Sequence, residues 1–137
     1  MQKIIFYQDI YTFHIDFAGH VSNIVYIQWM EIGRLKLLEA VGMNVATLTN
    51  KDNIFPTLVA TDIQYKKPLF LGDKVRIEVW LSKLKNVSAV MQFRFYNQSG
   101  ELTTTGSQTG LFIDGTFHKP HRITEKQHAA FASYLAE

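Results

Sequence analysis

Between Ile24 and Val41 the chain has a helix-forming run whose apolar side chains do not keep to one side. Ile24, Val25, Ile27, Trp29, Met30, Ile32, Leu35, Leu37, Leu38 and Val41 cover most of a helical wheel, and Gln28, Glu31, Arg34, Lys36 and Glu39 interrupt it. A helix apolar nearly all round is a buried helix. Its five polar residues make it too polar to span a bilayer. Gly42 follows as a C-terminal cap in the left-handed conformation, and Ser22 or Asn23 precedes as the N-cap. Whatever else this chain does, it must build a cover for that helix.

The remaining sequence offers strands as the cover. Thr57–Tyr65, Lys74–Lys85, Ser88–Tyr96 and Glu101–Asp114 read as long strands, with Val75, Ile77, Val79 and Leu81 alternating against Lys74, Arg76, Glu78 and Trp80. Pro68 with Gly72-Asp73, Lys85-Asn86-Val87, Asn97-Gln98-Ser99-Gly100 and Gly115 punctuate them. Connections this short require antiparallel pairing. Gly106 and Gly110 inside the last long strand predict bulges or bends. Ahead of the helix, Tyr11–Asp16 alternates with period two and predicts a strand. Tyr11, Phe13 and Ile15 would share one face and Thr12, His14 and Asp16 the other. His118–His121 reads as a loop, and Glu125–Ala136 as an amphipathic helix capped by Thr124. The expectation is an α+β fold, one antiparallel sheet wrapped around one central helix, in a single domain over residues 1–137. A lone sheet leaves a face or an edge uncovered, so at least a dimer is expected.

Composition excludes several function classes. The net charge is +2 and the longest run of like charge is Lys66-Lys67, which argues against nucleic acid as the ligand. There is no cysteine, hence no disulfide framework, thiol nucleophile or thiolate metal site, and the five histidines lack zinc-ligand spacing. No P-loop, dinucleotide glycine fingerprint, HExxH or GxSxG occurs. Nothing at the start reads as a signal peptide, and no membrane partner is expected, so a cytoplasmic location is the default.

The chemistry concentrates in Asp16-Phe17-Ala18-Gly19-His20-Val21-Ser22-Asn23, directly before the apolar helix. A carboxylate and a glycine turn there lie beside the positive end of a helix dipole and its unpaired first-turn amides. That combination suits acyl transfer. Asp16 would attack a thioester carbonyl or act as general base on water, and the amides around Asn23 would stabilise the developing oxyanion. An ordinary turn Asp and N-cap would carry the same residues. His14 would orient the Asp16 carboxylate or shift its pKa, and His20 would brace the turn. Glu31 and Arg34, spaced i, i+3, predict a structural ion pair, with Glu31 as the second-choice catalytic carboxylate. Lys66, Lys67, Arg76, His118, Lys119 and Arg122 are candidate contacts for phosphate groups.

The same residues resemble a known family. Asp16, Gly19, His20, Val21, Asn23, Tyr26, Glu31 and Arg34 follow the D-x-x-G-H-V-N-N-x-x-Y-x4-E-x2-R pattern of the hotdog-fold acyl-CoA thioesterases of the 4-hydroxybenzoyl-CoA thioesterase family. Ile63, Tyr65, Pro68, Gly72, Asp73 and Val75 match its strand–turn–strand, and the similarity covers about residues 8 to 123. The resemblance implies a hotdog fold, homodimers commonly paired into homotetramers, and active sites at the dimer interface. It implies hydrolysis of acyl-CoA, or of acyl groups on acyl carrier protein, without metal or other cofactor. The family's catalytic Asp falls on Asp16, and the residue whose N–H polarises the thioester carbonyl falls on Asn23. Gly19, His20, Val21, Tyr26, Lys66 and Lys67 complete the expected substrate site. His14 departs from the pattern, since many members carry a second Asp there, and Ser22 replaces the first Asn. Two rival readings are a hotdog hydratase or dehydratase, for which only His14 and Asp16 would supply the needed pair, and a non-catalytic acyl-CoA-binding hotdog domain.

Overall fold

The computed structural model covers residues 1–137. A strand β1 (Ile4–Asp9) leads through a 3-10 turn (Thr12–His14) to the long helix α1 (Asn23–Ala40). A short helix α2 (Val45–Asn50) follows. Four long strands come next, β2 (Ile54–Tyr65), β3 (Lys74–Leu84), β4 (Ser88–Tyr96) and β5 (Leu102–Asp114). Strand β6 (Lys119–His121) and helix α3 (Glu125–Ala132) end the chain. The strands form one antiparallel sheet in the order β1-β3-β4-β5-β2, with β6 pairing β5. The sheet curls around α1, which is the hotdog arrangement.

The long strands follow from their alternation. Val75, Ile77, Val79 and Leu81 on β3 and Phe93 and Phe95 on β4 are almost wholly buried against the helix, in a core that also takes Trp29, Met30 and Leu37 from α1. β2 begins at Ile54, three residues upstream of the predicted start, so Pro56 lies inside it; β2 is the sheet edge, where a missing N–H costs little. A register shift between Leu58 and Ala60 faces Gly110, so one expected bulge site is real, while Gly106 pairs Ile63 in regular register. Thr124 caps α3 by accepting the Gln127 N–H at 3.1 Å, and Gln127 Oε1 in turn accepts the Thr124 N–H at 2.9 Å. The helix stops at Ala132 rather than Ala136, because Tyr134 C=O and Ala136 N–H turn to pair with Leu81 of β3.

Four expectations are corrected. Tyr11–Asp16 is not a strand. His14 N–H donates back to Tyr11 C=O (2.9 Å) and Ile15 N–H to Thr12 C=O (3.2 Å), so the segment closes on itself. The faces are inverted accordingly, with His14 buried and Tyr11 and Phe13 exposed. The strand that pairs β3 is β1, whose run Ile4-Ile5-Phe6-Tyr7 is apolar on both faces and hides its period. His118–His121 is not wholly a loop, since Lys119–His121 pairs with Phe112–Asp114. Finally, α1 is buried on one side only. Val25, Tyr26, Trp29, Met30, Gly33, Leu37 and Leu38 face the sheet, whereas Ile24, Ile27, Ile32 and Leu35 remain exposed in the single chain. The sheet reaches round half of a helix that is apolar on both halves.

Candidate active site

The segment between the 3-10 turn and α1 is a narrow two-stranded loop. Ile15 and Val21 form an isolated antiparallel bridge, flanked by bonds from Ser22 N–H to His14 C=O and from Asp16 N–H to His20 C=O, both 2.9 Å. Gly19 turns the tip at φ +79°, a conformation that side-chain-bearing residues rarely take. Val21 is buried and its N–H donates to Leu69 C=O (2.9 Å), which ties the loop to the chain entering β3. Ser22 then caps α1 in extended conformation, and its side chain makes no capping bond. The Asn23 and Ile24 amides therefore have neither an intrahelical nor a side-chain partner, whereas Val25 N–H donates to Ser22 C=O at 3.0 Å.

Asp16 is held by this loop. Its Oδ1 accepts the N–H of Ala18 at 2.9 Å and of His20 at 3.4 Å. That fixes the carboxylate and leaves Oδ2 as the oxygen able to take a proton from water or to face a carbonyl carbon. Asp16, His20, Val21, Asn23, Tyr26, Lys66 and Lys67 line one open pocket of about 260 Å³, together with Tyr65 and Pro68. Of the eight site residues read from the sequence, seven line the pocket and Gly19 shapes the turn beside it. Asn23 is the first residue of α1, so the pocket opens on the positive end of the helix dipole.

The pocket wall is aromatic. Tyr26 is buried on α1 and packs edge-on against Trp29, Tyr65 and Phe95, with ring centroids 5.2–5.7 Å apart. Burial pushes its phenol up to about 12, against a smaller opposing effect from its bond with Thr104, so it is neutral at working pH. Tyr65 donates from its hydroxyl to Asn23 C=O at 3.3 Å, and burial raises its phenol too. Tyr65 appears in the family-like pattern yet was not among the predicted site residues; its place opposite Asn23 depends on β2 running back along α1. His20 packs edge-on against Phe70 at 5.1 Å and braces the turn. Lys66 and Lys67 both donate their backbone N–H to Thr103 C=O, at 2.8 and 3.0 Å, and are exposed where they line the pocket. Lys67 pairs with Glu101, which holds that carboxyl below its usual value.

Other candidates lie elsewhere. Glu31 is exposed, forms the expected ion pair with Arg34 at 3.7 Å, and does not line the pocket. Arg34 also donates to Gln108 Oε1 at 3.1 Å, so it is satisfied between helix and sheet. The six phosphate candidates do not form one patch in the chain. Arg76 contacts Glu78 at 3.4 Å and lines a separate groove with Lys74. His118 sits in the β5–β6 turn, Lys119 opens β6, and Arg122 stands beside Asn86 and Glu125. These strand ends look alike in sequence, but the antiparallel order sends His118, Lys119 and Arg122 to the opposite end of the sheet from Lys66 and Lys67, and β4 and β5 separate Arg76 from the two lysines at their own end. His14 does not hold the Asp16 carboxylate either, because its Nδ1 accepts the Tyr11 N–H at 2.9 Å. No group of three or more His, Asp or Glu side chains has metal-binding geometry. No helix is long and apolar enough to cross a membrane.

Comparison with known proteins accords with this geometry. A putative acyl-CoA thioesterase, YneP of Bacillus subtilis (strain 168), is 30% identical over 105 residues, covering 77% of this chain and 75% of that protein. A DHNA-CoA thioesterase from Staphylococcus aureus shares the fold with a TM-score of 0.89 at 26% identity, over 97% of this chain and 91% of that one. A 1,4-dihydroxy-2-naphthoyl-CoA thioesterase from Synechocystis, at 14% identity, has a TM-score of 0.86 over 96% of each chain. Its likeness is one of fold. Residues 12–131, from the 3-10 turn into α3, match the thioesterase-like superfamily, and the chain belongs to that family.

Proposed function

We propose that this thioester hydrolase acts on acyl-CoA, releasing a free acid and CoA, with Asp16 as base or nucleophile and the α1 amides at Asn23 polarising the carbonyl. One observation carries the reading: a carboxylate anchored by two loop amides and the start of a long helix line the same open pocket. In the base route Asp16 takes a proton from water, the hydroxide adds to the thioester carbon, and the C–S bond breaks to give acid and thiol. In the nucleophile route the carboxylate adds first, the C–S bond breaks and CoA thiol leaves, and water cleaves the resulting anhydride to the free acid and the Asp16 carboxylate. Either way the oxyanion forms where helix amides and dipole stabilise it. The hydratase reading loses support, since His14 is buried with its Nδ1 engaged and is not among the residues lining the pocket.

A panel of thioesters assayed for thiol release tests the activity. Acyl-CoA should be cleaved. If the exposed Lys66 and Lys67 meet the phosphates, neutralising both should raise KM for acyl-CoA and leave kcat about unchanged. Thioesters lacking the nucleotide should then be indifferent to the change. Hydrolysis of acyl carrier protein substrates alone would shift the assignment to the carrier form, and binding without turnover on every thioester would leave a non-catalytic acyl-CoA-binding domain.

The working form is proposed to be a homodimer or homotetramer. Ile24, Ile27, Ile32 and Leu35 form an apolar stripe on α1 left uncovered by the sheet, and Val59 is exposed on the edge strand β2. Light scattering should return a multiple of 15.8 kDa. A stable monomer at micromolar concentration would contradict it.

A further inference from the structure

His14 is buried, polar and unused by the chemistry above. It stands two residues before Asp16, and its bonds run to both ends of the loop that carries Asp16. At one end its Nδ1 accepts the Tyr11 N–H (2.9 Å), while its own N–H donates to Tyr11 C=O (2.9 Å), closing a ring of two bonds. At the other end its C=O accepts the N–H of Ser22, the N-cap of α1, at 2.9 Å. Its ring packs edge-on against Trp29 of α1 at 5.4 Å and lies tilted against Phe13 at 4.3 Å. One residue thus joins the 3-10 turn, the Asp16 loop and the helix whose amides face the pocket.

We infer that His14 is a positioning residue for thioester hydrolysis, its neutral imidazole holding Asp16 in register with the first turn of α1. The inference rests on the thioesterase reading of the site. An acceptor at Nδ1 is required, because the Tyr11 N–H points at it, so the proton of the neutral ring sits on Nε2. Protonation of Nδ1 would remove the acceptor and set two N–H groups against each other. Burial already lowers the tendency of this ring to protonate. The groups around it are the rings of Tyr11 and Phe13 on the turn and Trp29 on α1; the Tyr11 phenol is the one titratable group among them. None of these is a carboxylate that would pair with a charged His14, so lowering the pH should loosen the loop.

Two substitutions separate positioning from packing. His14→Asn keeps an acceptor at the place of Nδ1, and His14→Phe keeps a ring without one. His14→Phe should lower kcat by about 10–100-fold, the scale of a small misplacement of reacting groups, with KM for acyl-CoA little changed. His14→Asn should restore most of that kcat. Amide NMR of the wild-type protein supplies a readout independent of turnover. The signals of Tyr11, Ala18, His20 and Ser22 should shift together with the titration of His14. Wild-type kcat in His14→Phe, equal losses in both variants, or loop signals indifferent to the His14 titration would overturn the inference. An active wild type with such a result sinks only this role, whereas a wild type inactive on every thioester sinks the functional reading, and the NMR titration still decides whether His14 holds the loop.

Discussion

Asp16→Asn lowers thioester turnover by roughly 10²–10⁴-fold, the usual cost of losing a general base or nucleophile. The change is nearly isosteric. The Asn side-chain oxygen can still accept the Ala18 and His20 amides that bond Oδ1 in the wild type, and the amide nitrogen then takes the place of Oδ2. The loop and the pocket should therefore persist, with KM and melting temperature close to wild type. Thiol-release kinetics and a thermal melt on the same sample check both halves. Turnover near wild type would remove Asp16 from the reaction. Glu31 would be a poor replacement, being exposed, paired to Arg34 and away from the pocket.

The second large effect is on stability. At Gly33 the backbone of α1 packs directly against side chains of the sheet. A Cβ at that position would lie 2.8 Å from Val79 Cγ2, 3.2 Å from the Phe93 ring and 3.3 Å from the Phe6 ring. Val79 is β-branched and Val79 and Phe93 are wholly buried, so neither can step aside. Gly33→Ala gains up to about 1 kcal/mol of helix propensity, yet overpacking costs about 1–3 kcal/mol, and the variant should be less stable. Gly33→Leu should lose more, forcing α1 away from β3 and β4 and lowering the melting temperature by several degrees or more. Gly106→Ala is the contrast. Its Cβ would meet the terminal methyl of Met30 at 2.9 Å, the flexible end of an adaptable side chain, although Asp62 C=O lies at 3.3 Å. It should cost less than Gly33→Ala. Denaturant titrations rank the three; a Gly33→Ala protein more stable than wild type would show that this glycine does not set the helix–sheet distance.

Much of the architecture was legible in the chain because local chemistry and global fold agree. The period-two alternation of Val75, Ile77, Val79 and Leu81 marks β3, and Asn97–Gly100 marks the β4–β5 turn. The helix bounds are those read from Ser22 and Gly42, within a residue. The candidate site was legible as well, since Asp16 to Asn23 is one short segment whose spacing already sets a carboxylate beside a helix start. What misled was periodicity in short pieces. Tyr11–Asp16 alternates yet closes into a 3-10 turn, and β1 does not alternate yet pairs six residues with β3.

Sequence alone determined that a long apolar helix had to be covered by antiparallel strands and that an acid preceded it, because these depend on side-chain type at fixed local spacing. Only the tertiary structure decided which half of α1 the sheet covers, that Tyr65 reaches Asn23, that Arg76 and Arg122 stand apart from Lys66 and Lys67, and that His14 turns inward. Those outcomes depend on strand order and on the distance between elements far apart in the chain, which no local pattern encodes. Gly33 is the plainest case: in the sequence it is a flaw in a helix, and in the fold it is the contact that lets the helix reach its sheet.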